Sequence, residues 1–257
     1  MSIIHSVALA FAMFSRIPMP QLDWNEKNMR YMMCGFPLVG AVIGLTLWGW
    51  SLLAGLLAIG PVLLSVGYAL IPIAVTGGIH LDGYTDTVDA LASHASPEKK
   101  REILKDPHTG AFAVIGVGCY LLLYFALCTE AAVTAGFVVK LTLMHVFSRT
   151  LCGLAVLLFP PSTQKGLLYT FQSSAYKQRA AAVLWIVLAL CAGVLVVCVG
   201  FTGFLMAAAG GLAMAYVFFM SRRQFGGMSG DLAGYFLQVC EIAMLAAMVL
   251  GKGVFPA

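Results

Sequence analysis

Three carboxylates, Asp82, Asp86 and Asp89, stand at positions i, i+4 and i+7. On a helix advancing about 100° per residue, Asp86 lies roughly 40° from Asp82, and Asp89 roughly 20° to the other side. All three share one face. Like charges at these spacings repel, and without a cation one or more would have to take up a proton. A divalent metal removes the conflict. Carboxylates that leave positions open on an octahedral ion suit Mg²⁺ held together with substrate phosphates. A solvated acidic face, or a first turn stabilised by the helix dipole, is the bland alternative. Flanking glycines, the adjoining His80 and an apolar surround weigh against it.

These carboxylates belong to one polar insert, residues 77–110, in a chain that is 61% hydrophobic and 10% charged. The insert also holds His80, His94 and His108, Lys99-Lys100-Arg101, and Lys105-Asp106. No histidine spacing is typical of zinc, and oxygen-rich ligation again favours Mg²⁺. The basic triplet reads as a solvated face or as a holder of anionic lipid or a substrate phosphate.

The elements that must position this insert are apolar. At 257 residues and a mean hydropathy of +0.92, the chain predicts an all-α, polytopic membrane bundle in a single domain, 1–257. Seven spans are predicted, at about 35–60, 62–76, 111–128, 131–159, 180–200, 203–220 and 232–254, each apolar enough to enter a core about 30 Å thick. Pro72 suggests a bend in the second. Gly35, Gly40, Gly44 and Gly49 permit close helix contact in the first. The apolar segment 3–14 is short, lacks preceding basic residues, and is expected to lie at the interface or re-enter. Residues 21–34 are expected as an aqueous loop or surface helix, and 160–179 as a loop.

Charge supports the division. Residues 1–34, 77–110, 160–179 and 221–231 fall on one side and carry Arg16, Lys27, Arg30, Lys99, Lys100, Arg101, Lys105, Lys165, Lys177, Arg179, Arg222 and Arg223, twelve of the fifteen Lys and Arg. The positive-inside rule makes that side cytoplasmic, with Lys252 as the exception. Seven scattered cysteines with no C-x-x-C pair read as packing residues.

Lys140, His145, Arg149 and Glu241 fall inside spans, where charge is expensive and usually faces a polar interior. Arg149 could present its fork to a diphosphate or serve as internal partner of Glu241 or an aspartate. Lys140 is expected to snorkel outward, and His145 to be a hydrogen-bonded core histidine.

An acidic helix at the mouth of a membrane bundle suits transfer between a diphosphate and a hydroxyl. Metal would neutralise the diphosphate, and a base would take the hydroxyl proton. Asp106 is expected to supply the second acidic element.

The sequence Gly77-Gly-Ile-His-Leu-Asp-Gly-Tyr-Thr-Asp-Thr-Val-Asp89 resembles the G-G-x-H-x-D-G-x-x-D-x-x-D-G signature of the cobalamin (5′-phosphate) synthase family, also called adenosylcobinamide-GDP ribazoletransferases. Lys105-Asp106 through Gly110 resembles its K-D-x-x-x-G segment, Phe14 to Pro20 its F-x-R-x-P-x-P, and Gly226 to Asp231 its G-G-x-T-G-D. Ala90, Ala111, Ala113 and Ser229 depart from the family pattern. The resemblance implies adenosylcobinamide-GDP and α-ribazole, or its 5′-phosphate, as substrates, and GMP as leaving group. It places the enzyme in a bacterial inner membrane with its catalytic loops in the cytoplasm. It implies Asp82, Asp86 and Asp89 as metal ligands, Asp106 as ligand or base, and His80 as an orienting group. Arg16, Lys105, Arg149, Arg222 and Asp231 become candidate substrate contacts. The lipid bilayer is a partner, nucleic acid is not, and a homo-oligomer is left open. The competing classes are a CDP-alcohol phosphotransferase, whose D-x-x-D-G-x-x-A-R is absent, a prenyltransferase, which wants a second Asp-rich motif, and an ion-coupled transporter, which favours acids at mid-membrane and pseudo-repeats.

Overall fold

The computed structural model describes residues 2–131 and 136–251. Among these the chain forms twelve helices: α1 (Ser2–Phe14), α2 (Glu26–Met29), α3 (Met32–Leu56), α4 (Pro61–Thr76), α5 (Ile79–Ala92), α6 (Pro97–Ile103), α7 (Ala111–Ala131), α8 (Phe137–Leu158), α9 (Leu167–Ser174), α10 (Lys177–Val199), α11 (Phe201–Phe225) and α12 (Gly230–Gly251). The fold is all-α. Six helices are long and apolar enough to cross a membrane, and the bent pair α4–α5 supplies a seventh if counted as one span. Large apolar side chains such as Leu45, Trp48, Leu122, Trp185, Leu190 and Leu212 are exposed around the outside, as a lipid-facing surface requires.

Local chemistry sets the breaks. Pro61 opens α4 at its first turn, where its missing N–H costs nothing. Gly77 and Gly78 both take positive φ, 67° and 82°, and the chain turns 96° from α4 into α5. The bend expected at Pro72 is instead at these glycines: α4 continues through Pro72. Its 16 residues reach about 24 Å, most of a bilayer core. We therefore treat α5 as lying across the end of the bundle, outside the spans.

The centre of the bundle is α8, buried along almost its whole length. It meets α3 at glycines: a Cβ on Gly40 would strike the His145 carbonyl, and one on Gly44 would strike Thr142. Gly35 gives the same closeness to α1, where a Cβ would lie 2.9 Å from Ala10 Cβ. Segment 3–14 is thus a helix packed along α3, with Leu9 and Ala10 buried. A Cβ on Gly49 would meet nothing within 4 Å among the described residues beyond its own helix.

Several boundaries differ from expectation. The 160–179 stretch contains α9, tied back to the end of α8 by Gln172 Nε2 donating to Phe159 O at 2.9 Å. The 21–34 stretch does contain a short helix, α2, one of its two expected forms, although Asn28 and Met29 are buried. The sixth span runs on to Phe225, where Gly226 closes it in the left-handed region. Lys252 and residues 132–135 lie outside the described residues.

The four basic stretches meet at one end. Arg16 N donates to Val75 O at 2.8 Å and its side chain packs on Gly77. Tyr176 N donates to Arg30 O at 3.3 Å, Lys100 Nζ to Gln224 Oε1 at 2.5 Å, and Ser162 N to Met228 O at 2.8 Å. All seven cysteines are free thiols.

Candidate active site

The site is built where α5 crosses the first turn of α12. The helices touch through glycine. A Cβ on Gly83 would lie 2.7 Å from Asp231 O, and one on Gly234 would lie 2.7 Å from His80 O. Tyr84 and Tyr235 stack beside the crossing, with ring centroids 5.6 Å apart and planes at 11°. Tyr235 OH pairs with Tyr216 OH of α11 at 3.1 Å. This contact sets α5 against α12 with the acidic face of one toward the acidic end of the other.

Asp82 is exposed; Asp86, Asp89 and Asp231 are half-buried. Burial first, then the charges of Asp82, Asp231 and Asp89, push the Asp86 carboxyl up to about 6. Asp86 therefore feels carboxylates from two helices. Asp89 has a second neighbour: its carboxylate lies over Gly110, just before the N-terminus of α7, a favourable place for an anion.

The carboxylate that the fold brings toward the stripe from another element is Asp231, and Asp106, the expected second acidic element, lies apart from it. Asp106 is exposed after α6, and its Oδ1 accepts from His108 N at 2.9 Å and meets His108 Nδ1 at 2.7 Å. Those contacts hold its carboxyl below the usual range, and its charged neighbours are His108 and Lys99 rather than the stripe. The cause is the docking of α6 on α11, where Lys100 is buried and Arg101 Nη1 donates to Phe225 O at 2.9 Å. Those two cations hold the fold together, whereas Lys99 remains exposed and pairs with Glu102 at 2.9 Å.

Beside the carboxylates a cavity of about 350 Å³ opens between the ends of α1, α3 and α8, the 162–166 loop, α9 and α12. Of the candidate residues, His80, Asp82 and Asp231 line it. His80 is buried among Phe14 and Phe36, at ring distances of 6.2 and 5.6 Å, and its Nε2 has no hydrogen-bond partner among the described residues. Burial first, then the charge of Arg149, holds its imidazole well below the usual histidine range, and so neutral. The rim is fixed by Pro161 and Met228, which pair as an isolated bridge.

The remaining candidates fall elsewhere. Arg149 is buried and pairs through Nη1 with Glu241 Oε1, while His145 Nδ1 lies 3.1 Å from the same Nη1 and 3.2 Å from Glu241 Oε1. Of its two expected roles, the internal partner is the one the geometry supports. His145 is the hydrogen-bonded core residue expected, and Lys140 lies in the first turn of α8, half-buried. Arg222 is exposed at the end of α11, 5.2 Å over the Phe218 ring, and Lys105 is exposed after α6. Neither lines the cavity. Arg16 is exposed and packs at the α4–α5 break. Sequence reasoning missed the lining from α9 and the 162–166 loop. It carried no motif there, although Phe14 and Ser229 belong to the outer motifs quoted above.

The family described as cobalamin-5-phosphate synthase matches residues 6–249. The chain belongs to the cobalamin-5-phosphate synthase family. It is 40% identical to a relative from Lachnoclostridium phytofermentans named adenosylcobinamide-GDP ribazoletransferase, over 98% of this chain and 95% of that one. A relative of the same name from Clostridium botulinum is 29% identical over 97% of this chain and 98% of its own. Another, from Clostridium perfringens, is 30% identical over 92% and 94%. No solved structure matches the chain.

The synthase-family signature and the α5–α12 crossing explain one another. Its D-G pair places a carboxylate on Asp82 and, at Gly83, the space that admits Asp231. Among the described residues no three His, Cys, Asp or Glu side chains are grouped to hold an ion by themselves. Mg²⁺ does not need such a cage, since one or two carboxylates plus substrate phosphates commonly hold it. An all-oxygen donor set carrying uncompensated charge at Asp86 fits that ion.

Proposed function

We propose that this chain joins adenosylcobinamide-GDP to α-ribazole, or to its 5′-phosphate, and releases GMP. The family match over 6–249 carries the reading, and the convergence of Asp82, Asp86 and Asp231 beside a cavity supports it. The basic end, with α5, α6 and α9, faces the cytoplasm of a bacterial inner membrane, as the twelve-of-fifteen charge bias supports.

Asp82, Asp86 and Asp231 would hold Mg²⁺, with Asp89 beside them. When bound, the ion neutralises the diphosphate and stabilises charge on the departing GMP. A ribose hydroxyl of the acceptor forms a new P–O bond at the phosphate attached to cobinamide, and the diphosphate P–O bond breaks. A carboxylate at the crossing takes the hydroxyl proton, and His80, neutral and with no partner for Nε2 among the described residues, orients the hydroxyl. Arg16 at the α4–α5 break is an exposed cation within this end of the fold. Asp106 would join only if the 104–110 loop moved over bound substrate, and its asparagine variant tests that.

The experiment is GMP release by the purified protein in detergent with both substrates, in Mg²⁺ and in excess EDTA. Turnover that requires Mg²⁺ and both substrates is expected. Undiminished turnover in EDTA would remove the metal, and no turnover under any condition would remove the transferase.

A further inference from the structure

We infer that the cavity is the seat of the acceptor, taking the flat fused-ring base of the ribazole, while the diphosphate and the corrinoid stay outside it at the carboxylates. The inference rests on the reaction proposed above and assigns its two substrates to different places.

Size separates them. Ligand cavities of roughly 300–1,000 Å³ enclose a drug-sized molecule. At about 350 Å³ this cavity stands at the lower end of that range. A two-ring base with one ribose is of that size, whereas a corrinoid macrocycle carrying a nucleotide is several times larger.

The chemistry of the walls points the same way. Phe14 and Phe36 form one wall, with centroids 4.3 Å apart, and Met33, Phe171 and Met228 contribute further apolar surface. Rings and thioethers accept a flat apolar base well. Among the lining residues the ionisable side chains are Asp82, Asp231, His80, Lys165, Cys152 and Tyr169. The first two are acids, His80 is buried against the Phe14 and Phe36 rings, and Lys165 is exposed in the 162–166 loop. A bare diphosphate has no buried lysine or arginine to meet among these lining residues. A base seated against Phe14 and Phe36 leaves its ribose toward Asp82, Asp231 and His80, where the hydroxyl reacts. Lys165, in the loop that closes the rim, is then the group available to a 5′-phosphate on that ribose.

Two variants test this in the full-length protein. Leu168→Trp fills the cavity from α9, where Leu168 is 9% exposed. It should raise KM for α-ribazole about tenfold or more, within the range by which small changes in an apolar pocket discriminate ligands, and leave KM for adenosylcobinamide-GDP within about twofold. Lys165→Gln should raise KM for α-ribazole 5′-phosphate several-fold and leave that for unphosphorylated α-ribazole unchanged. A rise confined to the corrinoid substrate, or an equal rise for both, overturns the assignment. Equilibrium dialysis of α-ribazole with the metal-free parent and with Leu168→Trp gives a readout that needs no turnover. Binding by the parent that the tryptophan abolishes upholds the seat even if the transferase reading fails, and equal binding by both rejects it. Should Leu168→Trp express poorly, Val156→Phe fills the same cavity from α8 and is read against the same outcomes.

Discussion

Gly83 of α5 lies against the backbone of Asp231 of α12, so close that an added Cβ would stand 2.8 Å from Asp231 Cα and 2.7 Å from its carbonyl oxygen. The obstacle is backbone, which cannot swing away as a side chain can. The contact brings an aspartate from the end of the chain to a stripe of aspartates near its middle. It also gives the glycine of the central signature a steric role: anything larger pushes the two acidic elements apart.

Gly83→Ala should therefore uncouple α5 from α12. Overpacking of this kind typically costs about 1–3 kcal/mol, and GMP release should fall further than stability does, because Asp231 is displaced. Gly118→Ala is the control, since a Cβ there meets nothing within 4 Å. Thermal unfolding in detergent, read beside turnover, would reject the steric role if the two alanine variants behaved alike.

Asp82→Asn and Asp231→Asn should each lower GMP release by about 10²–10³, the usual cost of one important electrostatic contact at the reacting group. Both should insert and fold. Parental turnover by Asp231→Asn, together with loss in Asp106→Asn, would return the second acidic element to the 104–110 loop.

Asp86 makes the metal-free protein pH-sensitive. Burial and the neighbouring carboxylates raise its carboxyl in the fold from the ordinary aspartate range to about 6. The folded state then binds the proton more tightly than the unfolded chain, so this group's contribution to stability falls as pH rises between about 4 and about 6. A cation that neutralises the stripe should reverse the loss. Mg²⁺ should raise the Tm more at pH 7.5 than at pH 5, and Asp86→Asn should flatten that difference. A Mg²⁺ shift identical at both pH values would speak against the stripe as its site.

Arg149 and Glu241 are predicted to matter for stability before activity. Removing one partner of a buried pair strands the other charge and typically costs about 3–5 kcal/mol, while replacing both with apolar residues restores much of it. Arg149→Met and Glu241→Met should each lower the thermal midpoint, and the double variant should sit above either single one. A double variant as unstable as the sum of the two would mean that the residues act independently.

Reporters fused near residues 95 and 170 should read out in the cytoplasm, and one near residue 130 outside. The same sign at 130 as at 95 would break the sidedness proposed for the basic end.

Some of this was fixed by local order alone. Hydropathy over about twenty residues defines a span wherever it occurs, so the all-α bundle was legible. The 3.6-residue period put Asp82, Asp86 and Asp89 on one face before any fold existed, and the loop charges declared that four stretches share one side. Those are short-range properties of the chain. Which carboxylate faces that stripe is not. Asp231 and Asp106 both follow a basic segment and both sit in motifs, and only the Gly83–Gly234 crossing selects the first, while docking of α6 on α11 carries the second away. Arg149 was likewise undecided between substrate and core until α12 placed Glu241 beside it, because a buried guanidinium takes the nearest anion that helix packing provides. The cavity depends on six helices and a loop that no sequence period relates, so only the assembled bundle could form it.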